Sequence, residues 1–493
     1  MSRLVIGNTT KPKPLINIGA LFDIPTGMYQ KGAKGENILN GGLSTVTGIV
    51  GLGNNFKSTI AHYMMLKAAD RIECSVPDTV TMHTYDTENN MNFNLERYDL
   101  LANNMTNCLP DNPVTEEIWT IVTKADMPAE IWLKEVLYKL KTIKEKEAKK
   151  IKYECFYDKK TKKPLEELPP SFIEIDSLTE FEPSTTEDML ESNSIDKTNM
   201  MYMQQGAFRA RVLKDLPRIA NTANIYFILT AHLGDKKDLA QGPFNKPTKD
   251  LQYMKQNEKI KGTTDKFLFL TTHLWKAHSS TALKNQNTGL PEYPMYENDI
   301  EVDLNLVKLT QFRSKTGPSG YTIELIVSQN EGVLPELTEF HYIKTNKYGI
   351  GGNPRSYWIE LYPDVKLQRT TVRRKLKEDY KLARAVNITS ELLQLKKFKP
   401  AYGPLLCDPN ELYEDIKKLG YDWNILLNTR GWWTPKNYDP KLRPYLSTMD
   451  LLKMRKGEYV PYWIDEKTKQ PKKEYSKWFD KKEDKKEDKD EKQ

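Results

Sequence analysis

Residues 45–58 read Thr45-Val-Thr-Gly-Ile-Val-Gly-Leu-Gly-Asn-Asn-Phe-Lys-Ser58. The apolar run from Thr45 to Val50 breaks into a polar turn carrying two glycines. Beyond it Ile60, Met64, Met65, Ala68, Ala69 and Ile72 recur at helical spacing, which predicts strand, turn and helix in that order. Gly51 to Ser58 is close to the pattern G-x-x-x-x-G-K-[ST], in which backbone N–H groups face phosphate oxygens, a lysine reaches the β/γ-phosphates and a hydroxyl meets Mg²⁺. The candidate set is Gly51, Gly53, Asn54, Asn55, Phe56, Lys57, Ser58 and Thr59. Phe56 stands where glycine is usual, so a glycine turn with a solvated lysine is the plainer alternative.

Working outward, short apolar strands alternate with helical patterns from about Thr45 to Thr272, the rhythm of an α/β fold built on a mostly parallel, twisted sheet. Further strands are expected at Val80 to Tyr85, Phe172 to Ile175, Ile225 to Thr230 and Phe267 to Thr272. Val302 to Lys308 and Tyr321 to Val327 alternate apolar and polar residues around Thr316-Gly-Pro-Ser-Gly320, a hairpin signal. Two strand ends carry carboxylates. Phe172-Ile-Glu-Ile-Asp176-Ser177 fits the acid that orders magnesium in a phosphate-loop ATPase, and Thr84-Tyr-Asp-Thr-Glu88 places Glu88 where it could activate water. A capped turn and a helix-initial acid are the plainer readings of the two. His232, ending Ile225-Tyr-Phe-Ile-Leu-Thr-Ala-His232, is the candidate sensor of the γ-phosphate.

The chain has 493 residues, a prior for two to four domains at about 150 each. With 38% hydrophobic and 10% aromatic residues, a wholly disordered polyelectrolyte is excluded. The 74 basic and 67 acidic residues leave only +7, and Lys139 to Lys163 alone holds eleven lysines, so the excess is local. Cys74, Cys108, Cys155 and Cys407 sit singly without zinc spacing, which predicts a reducing compartment and no structural zinc. Met1-Ser-Arg-Leu-Val-Ile-Gly7 lacks the apolar run of a signal peptide, and no stretch approaches the roughly 20 apolar residues that span a bilayer, so neither is expected. A soluble, cytoplasmic protein without a membrane partner is expected.

The assembled motifs resemble the RecA-type ATPase core, and within it the UvsX-type recombinases of tailed phages. The likeness rests on Asn55-Phe-Lys-Ser58, with phenylalanine in the glycine place, and on Tyr85-Asp-Thr-Glu88, Ile173-Glu-Ile-Asp-Ser-Leu178 and Ala231-His232. It covers roughly Leu15 to Glu336. The resemblance implies an ATP- and Mg²⁺-dependent, DNA-stimulated ATPase that assembles on single-stranded DNA and promotes homologous pairing and strand exchange in recombination, repair and replication. It makes Lys57, Glu88, Asp176 and His232 catalytic, with Ser58 and Asp176 holding the metal. Arg313 and Lys315 take the place of cations offered to a neighbouring subunit's phosphates, with exposed hairpin charges as their plainer reading. DNA is expected on two connections, one with Lys197, Arg209 and Arg211, the other with Lys236, Lys237, Phe244, Lys246, Lys249, Tyr253 and Lys255. Partners would be further copies of the chain, as filament or six-membered ring, and single-strand-binding or mediator proteins.

Residues 1–30 are read as an N-terminal segment, 31–336 as the RecA-like ATPase core with the lysine-rich insertion 139–163, read as a solvated helix and hairpin. Residues 337–478 form a smaller α+β domain containing Trp432-Trp433, and 479–493 a disordered charged tail. The residues before Leu15, with Pro12 and Pro14, do not match the helical arm that precedes the core in the family. Two other readings stay open: a hexameric DnaB-type replicative helicase, to which Arg313-Ser-Lys-Thr-Gly-Pro-Ser-Gly320 also looks similar, and a nucleotide-binding, DNA-organising module without turnover.

Overall fold

A computed structural model describes residues 13–158, 161, 163–184, 198–236, 249–263, 265–353, 355–431 and 443–479. Its centre is a ten-stranded sheet. In chain order the strands are β1 (Val46–Gly51), β2 (Thr81–Asp86), β3 (Trp119–Thr123), β4 (Ser171–Asp176), β5 (Ile225–Asp235), β6 (Glu258–Ile260), β7 (His273–Ala282), β8 (Leu304–Ser314), β9 (Thr322–Ser328) and β10 (Gly332–Val333). Their spatial order is β10-β9-β8-β7-β1-β5-β4-β2-β3, with β6 paired to β5. From β7 to β3 every neighbouring pair is parallel, whereas β7 to β10 and the β5/β6 pair are antiparallel.

All six residues of β1 are buried, as a strand covered on both faces requires. One face packs against α1 (Lys57–Glu73), whose Ile60, Met64, Met65, Ala68 and Ile72 join Ile49, Phe172 and Tyr226. The other packs against α3 (Thr198–Ala223), whose Leu213, Leu216, Ile219 and Ala220 join Val50, Ile173 and Leu229. Between these two helices in sequence, α2 (Leu95–Met105) follows the end of β2. Strand β5 lies between β1 and β4, so one strand separates the loop strand from the acid-bearing strand. Their carboxyl ends open onto one crevice, where ligands of open α/β sheets bind.

The α/β architecture and its large, mostly parallel sheet are as expected, and a further region of helices and strands follows it. The strand expected at Phe267 to Thr272 is instead the helix Asp265–Leu270, with the strand beginning at His273. A short apolar run has no period long enough to distinguish the two, and Phe267, wholly buried against the α3 face, serves equally well on a helix. The edge strand β3 was not anticipated.

The expected boundary at 336/337 falls inside α4 (Pro335–Thr345), whose Leu337, Phe340 and Ile343 belong to a third core shared with the helix Tyr380–Phe398. Ile24 and Leu39 join this C-terminal core, and Asn37 bonds Asp450 through both its N–H and its side-chain amide at 2.8 and 2.6 Å. The insertion forms the helix Lys139–Glu147 and a hairpin of Ile151–Tyr157 with Pro164–Glu167. It is not uniformly solvated, because Lys144 is buried and donates to Ser171 Oγ at 2.8 Å.

Cys74 and Cys108 do not sit singly either: they form a disulfide with Cα atoms 5.2 Å apart. Their 34-residue separation hides the pairing, which arises where the end of α1 meets the turn after α2, whereas Cys407 is free. Among the described residues, no helix is long and apolar enough to cross a membrane. Trp432-Trp433 and the tail from residue 480 lie outside the described residues.

Candidate nucleotide-binding site

The turn between β1 and α1 leaves Leu52, Gly53 and Asn54 exposed and returns Asn55 and Lys57 to the interior. A Cβ built on Gly53 meets nothing within 4 Å, so this part of the loop faces open space. Gly51 is different: a Cβ there would stand 2.8 Å from the Ala277 carbonyl oxygen on β7. Asn54 and Phe56 both adopt left-handed backbone, at φ 57° and 56°. Such a conformation favours glycine, which explains the usual residue at the Phe56 place. The Phe56 ring is half-buried against the core beneath α1. Packing thus offsets an unfavourable backbone geometry.

Phe56 caps α1 without any side-chain hydrogen bond, and the first turn holds no acid. The leading N–H groups and the positive end of the helix are therefore suited to an anion. Lys57 Nζ donates to Leu52 O at 2.6 Å. Burial pulls the Lys57 ammonium below its ordinary value, against the opposing influence of the Asp176 and Glu88 carboxylates.

Asp176 ends β4 in register with Asp86 of β2, and one of its oxygens accepts a hydrogen bond from Thr230 Oγ1. Thr87 ties the two strand ends together: its N–H donates to Asp176 O at 2.8 Å, and its hydroxyl accepts Ser177 N–H at 2.7 Å. Asp86 accepts the N–H groups of Glu88, Asn90 and Met91 at 2.9, 2.7 and 2.7 Å, which fixes the bend that presents Glu88. His232 pairs in register with Gly51 and reaches Glu88 Oε1 through Nε2 at 3.2 Å. Lys57, Glu88, Asp176 and His232 therefore meet at the carboxyl edge of the sheet, with Ser58 next to Lys57 in the first turn of α1. Asp86, Thr87 and Thr230 are not among the expected site residues; the two-residue spacing of Asp86 and Glu88 is a sequence signal for Asp86, whereas the contacts of Thr87 and Thr230 with the end of β4 appear only in the fold.

Arg313 and Lys315 lie at the opposite edge. Arg313 pairs with Leu274, which pairs with Gly48, three residues before Gly51 and roughly 10 Å along the strand. The Arg313 guanidinium sits 5.7 Å from the ring centroid of Phe269, and Lys315 Nζ is 3.4 Å from Leu270 O. These cations turn away from the loop of their own chain. Thr316 holds their turn, donating to Thr26 O at 2.8 Å with its oxygen 2.7 Å from His273 Nε2.

Of the expected DNA contacts, Lys197, Lys237, Phe244 and Lys246 lie outside the described residues. Arg209 needs correction: it is buried in α3, donating to Phe181 O at 2.7 Å and Thr179 O at 2.8 Å, and braces the segment after β4. Residues 198–211 are helical rather than a loop, with Arg211 exposed. Lys236 pairs with Asp250 at 2.8 Å, and together with Lys259 and Lys261 they line a cleft. Lys249, Tyr253 and Lys255 are exposed.

No protein-family description matches the sequence, and no curated protein matches it. Among solved structures, the RadB recombinase is similar over 60% of this chain and 92% of that one, at 15% identity and a TM-score of 0.32.

Proposed function

We propose that the chain is a DNA-dependent ATPase of recombinase type, binding single-stranded DNA and promoting homologous pairing and strand exchange as an oligomer. The observation that carries the ATPase part is the convergence of Lys57, Ser58, Asp176, Glu88 and His232 on one sheet edge beside a helix start that has no side-chain cap. The residues fit a nucleotide with its metal. Gly53 faces open space, the half-buried Phe56 ring packs against the core beneath α1, and Ser58 and Asp176 would offer a hydroxyl and a carboxylate to Mg²⁺. Bound there, the metal would neutralise phosphate charge.

Each side chain then has a defined task. Lys57 binds β/γ-phosphate oxygens in place of Leu52 O. Glu88 orients a water and accepts its proton, and His232, sharing a hydrogen bond with Glu88, reports the state of the phosphate end to β5 and the connection beyond it. Arg313 and Lys315, facing away from their own loop, serve the site of a second copy. The recombinase part rests on the sequence resemblance, including the Phe-Lys-Ser and Tyr-Asp-Thr-Glu segments.

Phosphate release measured with and without single-stranded DNA tests the ATPase reading, and electron microscopy with ATP and DNA tests the assembly. DNA-stimulated hydrolysis and an extended helical filament are expected. A closed six-membered ring would transfer the site to a helicase, and nucleotide binding without turnover would leave a DNA-organising module.

A further inference from the structure

We infer that Glu174, held by His62, is a positioning residue that sets Ser58 against Asp176 and thereby governs metal affinity at the nucleotide site; this rests on the ATPase reading above. The argument starts from periodicity. Side chains two apart on a strand share a face, so Glu174 lies under Asp176 on β4, and Thr84 lies under Asp86 on β2. His62 stands four residues after Ser58 on α1, one turn below it. Beneath the layer that carries the chemistry is therefore a second layer of Glu174, Thr84 and His62.

That layer is polar where a helix–sheet interface is ordinarily apolar. His62 Nδ1 is 2.8 Å from Glu174 Oε2, and the two side chains are 4% and 0% exposed. Thr84 Oγ1 donates to the same Glu174 oxygen at 3.2 Å and accepts Trp119 Nε1–H at 2.8 Å. Tyr98 and Trp119 close the ring edges around His62, each with its centroid 5.5 Å away. The other Glu174 oxygen is buried without a hydrogen-bond partner. One layer further down, Met82 and Phe172 are apolar and wholly buried.

A buried polar pair is a poor means of adding stability, since desolvation offsets its attraction. What it adds is geometry. Apolar contact is non-directional, whereas a buried hydrogen bond between α1 and β4 fixes the distance and the orientation of the two elements. The pair spans the two elements that bear Ser58 and Asp176, one helical turn and two strand residues away from them. It acts on the metal only through those two residues, as outer partners of metal ligands do elsewhere.

The test compares fluorescent ATP binding in excess EDTA with binding across a Mg²⁺ titration, for the wild type, Glu174→Gln and the apolar double variant His62→Leu/Glu174→Met. The double variant fills the layer and should fold. Both variants are expected to keep the wild-type affinity in EDTA while requiring about 10- to 100-fold more Mg²⁺ for half-maximal enhancement. His62→Leu alone should unfold more readily than the double variant, because it leaves the buried Glu174 carboxyl group without its imidazole partner. Unchanged Mg²⁺ dependence in both variants overturns the inference. So does a parallel fall of EDTA and Mg²⁺ binding with the melting temperature, which assigns the pair to folding alone. A wild type that binds no nucleotide under either condition refutes the ATPase reading itself.

Discussion

His232 Nε2 lies 3.2 Å from Glu88 Oε1, a contact that passes over the end of β4, where Asp176 stands between the two strands that carry them. The proposed sensor and the proposed base are thus one hydrogen-bonded unit. Glu88→Gln is expected to bind ATP as the wild type does and to lower turnover about 10²- to 10⁴-fold. His232→Asn, which keeps a donor toward Glu88, should retain more activity than His232→Ala. Steady-state phosphate release decides both, and unchanged turnover in Glu88→Gln removes it as the base.

Because Arg313 and Lys315 point away from the loop of their own chain, two inactive variants should complement each other. Arg313→Ala and Glu88→Gln are each expected to be nearly inactive alone. Mixed in equal amounts, they should recover activity at about a quarter of the interfaces, those pairing an intact cation with an intact base in a head-to-tail contact. A mixture no more active than its components would place the cations outside the site.

Phe56 exchanges backbone strain for packing. Glycine at this place relieves a left-handed conformation costing about 1–2 kcal/mol and forfeits a half-buried ring of similar worth, so Phe56→Gly should be close to neutral in denaturant midpoint and in ATP affinity. Phe56→Val, β-branched at φ 56°, should lose both. Abolition of nucleotide binding by Phe56→Gly would contradict the packing account.

The Cys74–Cys108 bridge closes a 34-residue separation across the end of α1. In the chain-entropy description such a loop contributes up to about 4 kcal/mol. Denaturant unfolding with and without reductant should show a lower midpoint on reduction, and Cys108→Ser should show no such response. Equal midpoints in oxidised and reduced wild type would mean that the bridge does not constrain the unfolded chain.

Lys144 gives a pH dependence of definite sign. Burial lowers its folded-state pKa from 10.5 to about 7, with the Lys13 charge adding to the shift. Between those values the unfolded chain binds the extra proton, so stability rises with pH from about 7 to 10.5, by up to about 1.4 kcal/mol per unit. Below pH 7 the contribution is flat. Lys144→Met should lose this slope, seen as the difference between the two denaturant midpoints at pH 7 and pH 10. Identical slopes would count against a buried, neutralised lysine.

The strand, turn and helix around Gly51 to Ser58, and the positions of Glu88 and Asp176 at or just past strand ends, are legible in the linear order, because a strand ending in a polar turn is a local pattern of period, glycine and charge. The same local logic misplaced Phe267–Thr272, where six residues are too few to hold a period, and treated Arg209 as a free cation. Only the fold shows that its guanidinium is spent on two carbonyls. No linear reading could find the Cys74–Cys108 bridge, the layer of Glu174, Thr84 and His62, or the opposite placement of Arg313, since each depends on strand order and on which elements lie face to face. Local backbone preference and hydrophobic period act between near neighbours in the chain and so are written there. Burial, long-range pairing and the two edges of the sheet are properties of distance in space, which only the packed structure determines.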